Sequence, residues 1–206
     1  MCVTGCQEYA PVAEPELGGS LEEGYFETPL SGDSFEEACR NLKLSMGSLT
    51  RVERELSEKE AQEMLAPFIA DGEVIAKQMC HSILNNASAQ IGEEEHLKAS
   101  YFMSLTSEDH ATLSFLYHVS EMVENNFQPE QNVLTQLETT TAQFDYQRAL
   151  ACLEVAIGLA GIKEAVSVSG LISATTARQL LLTIGKRYLG YIGIAIMVYN
   201  FVDCIS

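Results

Sequence analysis

From Ser34 onward the apolar residues recur at three- and four-residue spacing and almost never alternate, which predicts helices throughout. Phe35, Ala38, Cys39, Leu42 and Met46 mark one face of a first helix, with Gly47 as its natural stop. Ser57 and Glu60 form a capping box ahead of Ala61, Met64 and Leu65, and Pro67 is expected to end or kink that helix. Helix then resumes after Asp71 and Gly72 through Val74, Ile75, Met79, Cys80 and Ile83, stopping near Asn85 and Asn86. Thr106 and Asp109 repeat the N-cap logic for a helix whose face is Leu113, Leu116, Tyr117, Ser120 and Met122 or Val123, ended by Asn125 and Asn126. Residues 132–144 read as a weakly amphipathic helix or a loop, since Thr139, Thr140 and Thr141 lower the propensity.

The last third changes character. Residues 146–168 and 175–204 read as two long helices around a break at Ser167, Val168, Ser169 and Gly170, an apolar helical hairpin with few charges. The first would be roughly 35 Å long at 1.5 Å per residue, close to bilayer thickness. Glu154, Lys163 and Glu164 interrupt it, however, and the uncharged run from Leu189 to Val202 in the second contains Asn200 and is short for a spanning segment. The expected arrangement is therefore a core hairpin wrapped by the earlier helices. Gly158 with Gly161 and Gly190 with Gly193 place small residues on both helices, so these stripes are expected to meet in close helix packing. The fold class is all-α: a multi-helix bundle of residues 34–206, with acidic amphipathic helices in 34–145 and the hairpin in 146–206. Residues 1–33, rich in Pro, Gly and acids, form a tether before it.

Charge sharpens this division. The net charge is −17, yet residues 151–206 set Lys163, Arg178, Lys186 and Arg187 against Glu154, Glu164 and Asp203, a net +1 that leaves −18 for residues 1–150. No basic stripe precedes Arg178, which argues against a nucleic-acid partner. At 206 residues and 47% apolar content the chain can bury a real core.

The six cysteines, at positions 2, 6, 39, 80, 152 and 204, include no C-x-x-C pair, so neither a zinc ribbon nor a dithiol redox motif is present. Cys39, Cys80, Cys152 and Cys204 would allow two disulfides in three pairings after export. Their apolar helical surroundings favour buried free thiols. The order Val3, Thr4, Gly5, Cys6 resembles the lipobox of bacterial lipoproteins, in which the chain is cleaved before the cysteine and the thiol is acylated. That resemblance spans four residues. It implies a lipid on Cys6, residues 7–33 as the tether, and a location at the bacterial cell envelope. Without it the expectation is a cytoplasmic helical protein. The signal sequence that such a motif requires would lie upstream of Met1.

Candidate chemistry is sparse. Glu93 and His96 make one Glu-x-x-His, but no second copy follows, and the acids at 93–95 suit the start of a helix. His118 and Glu121 read as a surface pair, and His81 as a partly buried imidazole. There is no nucleophile elbow, no Ser-x-x-Lys with partners and no phosphate loop. The sequence thus implies no catalytic residue, metal or cofactor. Its leading functional expectation is a non-enzymatic envelope lipoprotein whose helical domain presents an acidic surface to a protein partner. The alternative is a membrane-active protein, resembling bacteriocins or pore formers in logic, whose C-terminal hairpin inserts into a bilayer, with Tyr188, Tyr191 and Tyr199 suited to the interface.

Overall fold

The computed structural model describes residues 27–51, 55–86, 93–125, 146–157, 174–185 and 190–205. These form helices α1 (Gly32–Arg51), α2 (Glu58–Asn86), α3 (Glu93–Met103), α4 (Ser107–Asn125), α5 (Tyr146–Ile157), α6 (Ala174–Gly185) and α7 (Gly190–Ile205), with no strand among the described residues. The fold class is all-α, as the periodicity requires.

Local sequence explains the starts of α1, α2 and α4. Ser31 Oγ accepts the Ser34 amide at 3.3 Å ahead of α1. Ser57 and Glu60 form the expected reciprocal box, with the Ser57 amide on Glu60 Oε2 at 3.2 Å and the Glu60 amide on Ser57 Oγ at 3.3 Å. Thr106 and Asp109 do the same for α4 at 3.0 and 3.2 Å. The start of α7 is held from a distance: Gly190 takes a positive φ of 76°, and Glu58 Oε2 accepts the Tyr191 amide at 3.0 Å.

Two expected stops do not act. α1 runs through Gly47 to Arg51, because Leu42 and Met46 remain buried on its core face and the glycine stays in helical conformation. α2 runs unbroken past Pro67. Pro67 and Glu63, the residue whose carbonyl loses its partner, both lie on the exposed side, where water can take up the unused hydrogen bond. Phe68 and Ile75 pack on the opposite side, above and below the expected break.

α2 and α4 form the central pair, with α7 lying against α5, α2 and α1. At the α2–α4 crossing, Gly72 faces the backbone carbonyl of His110 so closely that a Cβ would overlap it. The core gathers Phe35, Leu65, Phe68, Phe102, Phe115 and Phe201, all at most 2% exposed, and Phe115 meets Phe201 edge-to-face at 5.2 Å.

The long apolar hairpin is not found. In place of a continuous 175–204 helix there are α6 and α7, parted where Gly190 leaves the helical region of φ and docks beside Glu58. α5 ends at Ile157 among the described residues. Ile194, Ala195, Met197, Val198, Phe201 and Val202 of α7 are buried in the bundle. No described helix is long and apolar enough to cross a membrane. The expectation of four free thiols is also corrected. Cys152 on α5 is joined to Cys204 on α7, their Cα atoms 5.6 Å apart, while Cys39 and Cys80 are free and buried. Apolar helical positions bring thiols into the core, and there the facing of two helices decides which of them meet.

Candidate functional site

Among the described residues, polar side chains gather most closely inside the central helix pair. Asp71 occupies a core position of α2, three residues after Phe68 and four before Ile75, and is 4% exposed. Opposite it, Ser114 and His118 stand one turn apart on α4, at 0% and 1% exposure. Asp71 Oδ2 accepts Ser114 Oγ at 2.5 Å and is 2.9 Å from His118 Nε2, while Asp71 Oδ1 accepts the Leu30 amide at 2.6 Å. The second ring nitrogen of His118, Nδ1, lies 3.3 Å from Glu121 Oε2 on the same helix. Phe35 of α1 stacks on the imidazole with ring centres 4.6 Å apart, and Tyr117 meets it edge-on at 5.4 Å.

Burial alone would raise the Asp71 carboxyl. Hydrogen bonds from His118, Ser114 and the Leu30 amide, together with the charge of His118, outweigh that effect and hold it below the ordinary carboxylate range. Among the described residues no buried side-chain nitrogen or oxygen lacks a partner.

The network is buried at Asp71, Ser114 and His118 and reaches solvent at Glu121, whose side chain is 35% exposed. Asp71 and Glu121 sit at opposite nitrogens of one ring and do not converge on a common point. No cluster of three metal-ligating side chains occurs among the described residues. Ser114 donates to the carboxylate, not to the imidazole, so it is not primed as a nucleophile.

The structure places the residues singled out from the sequence as follows. Cys6, Gly158 and Gly161 lie outside the described residues. Gly190 opens α7, and a Cβ there would come within 2.7 Å of a Glu58 carboxylate oxygen, so its tight neighbour is α2. Gly193 is half-buried within α7. His96 is exposed on α3, which begins at Glu93. His81 is half-buried and contacts the Asn85 amide at 3.0 Å. His118 and Glu121 do form a pair, but the expected surface location is wrong for the histidine. Asp71, Ser114 and the Leu30 amide were not singled out. Their signal was a set of polar residues at core spacing on two helices, Asp71 within the Phe68 to Ile75 stripe and Ser114 with His118 among Leu113, Phe115 and Leu116.

No protein-family model, curated protein or solved structure matches this chain.

Proposed function

We propose that this chain is a non-enzymatic, lipid-anchored domain of the bacterial cell envelope, attached through Cys6 and a tether that ends before the chain docks on the body at Glu27 and Leu30, and presenting an acidic helical surface to a protein partner. The observation that carries the reading is the Cys152–Cys204 disulfide, because such links form and persist in oxidising compartments and are rare in reducing cytosol. It joins with the lipobox-like Val3, Thr4, Gly5 and Cys6, which implies the same compartment by an independent route. The acidic surface is supported by exposed Glu36 and Glu37 on α1 and Glu58, Glu63 and Glu73 on α2. The polar network, its buried atoms all partnered, supports a structural role in preference to turnover. Burial of the α7 apolar residues, with α7 covalently tied to α5, favours this reading over hairpin insertion into a bilayer.

The test is intact mass of the protein made from its native upstream DNA in a bacterial host, with membrane and soluble fractions compared. A membrane-bound species beginning at Cys6 with added acyl mass is expected. An unmodified soluble chain retaining Met1 would sink the reading. Liposome binding by the unacylated chain would instead favour the inserting hairpin.

A further inference from the structure

Among the described residues, the chain entering α1 meets the α2–α4 pair at Asp71, at Gln78 and at the ring of His118. The Leu30 amide reaches Asp71 Oδ1, the Gln78 side-chain amide reaches the Glu27 carbonyl at 3.2 Å, and Phe35, fully buried, lies flat on His118. We propose that the Asp71–His118–Glu121 array is a proton-operated latch. The doubly protonated ring fastens the segment at 27–35 to the α2–α4 pair, and loss of the Nδ1 proton loosens it.

The geometry supports this step by step. A neutral imidazole carries one N–H, whereas both nitrogens of His118 face carboxylate oxygens. Only the imidazolium donates to both. Among the described residues the charged groups recorded against the ring are Asp71 from α2 and Glu121 from α4; α1 contributes the uncharged Phe35, and Tyr117 on α4 presents an uncharged ring edge. The His118 side chain is 2% exposed and that of Glu121 35%, so the proton leaves Nδ1 for water on the Glu121 side while Nε2–H stays on Asp71. What remains is a buried carboxylate with neutral donors only, an arrangement that burial penalises. The weakened member is the acceptor of the Leu30 amide, which is how the ring's charge reaches the tether side of the fold. Rising pH therefore loosens the latch. It works in the folded chain with or without lipid on Cys6, so it stands apart from the envelope reading.

The experiment is a pH titration of the full-length, isotope-labelled chain by NMR, following the His118 ring, the Leu30 amide and amides of α7, for wild type and Glu121→Gln. Glu121 is partly exposed, so this variant is expected to fold, which circular dichroism checks. In wild type the Leu30 amide should move in the same step as the His118 ring while the α7 amides stay in place. In Glu121→Gln the midpoint of that step should fall, as expected for losing one partly exposed anion beside a cation. The latch is overturned by a Leu30 amide that stays put as the ring titrates, by an unmoved midpoint in the variant, or by α7 amides that shift in the same step, which would indicate general unfolding.

Discussion

At the scale of single residues, two positions tolerate little change. Gly72 has the His110 carbonyl where a Cβ would go, and both atoms belong to backbone, so neither can turn aside. Gly72→Ala should cost about 2–4 kcal/mol or prevent folding, read as a fall in the urea midpoint. Asp71 is the other. Its folded pKa is depressed, so it contributes stability above the unfolded carboxyl value, and that contribution disappears as pH falls through the lowered folded value. Wild type should lose urea resistance as pH falls below the ordinary Asp pKa of about 4. Asp71→Asn should be the weaker protein at neutral pH, with the gap closing in acid. Cys39 adds a negative expectation: burial first, and then the charge of Glu36, pushes its thiol up to about 12. It should resist alkylation at roughly pH 8, where an ordinary exposed thiol is partly ionised.

At the scale of elements, what could be read from the sequence was what is local. The capping boxes at Ser57 and Thr106, the apolar stripe of α1 and the ends at Asn86 and Asn125 all follow from residues within one or two turns. The misread features depend on partners far along the chain. Pro67 could not be known to lie on the wet side of α2, and the division of the last helix depends on Glu58, 133 positions from Tyr191. The same distance explains why the polar site was missed. His118 pairs locally with Glu121, but its buried partner Asp71 lies 47 positions away. The Glu58 contact is testable in its own right: Glu58→Ala removes the acceptor at the α7 start and should cost about 1 kcal/mol, in line with other N-terminal caps, by chemical denaturation.

At the scale of the whole molecule, α7 ties the bundle together. It is capped by α2 at one end, and at the other the Cys204 carbonyl receives Arg148 at 2.9 Å and Asp203 pairs with Lys43 of α1 at 3.0 Å. The disulfide adds a covalent tie that spans 52 positions of sequence. On a chain-entropy basis, a loop of that size is worth about 4 kcal/mol. Cys152→Ser, or reduction, should therefore lower the melting temperature clearly while leaving the helical circular dichroism spectrum nearly unchanged at low temperature.

That link also bears on how the protein is prepared. Synthesis in a reducing host cytoplasm would deliver chains without it, and air or a disulfide catalyst would convert them one by one. A purified sample could then hold two populations of identical sequence. They would differ by two hydrogens in mass, run at different positions on a non-reducing gel and melt separately, so a biphasic unfolding curve from such material would report incomplete oxidation and not a second domain.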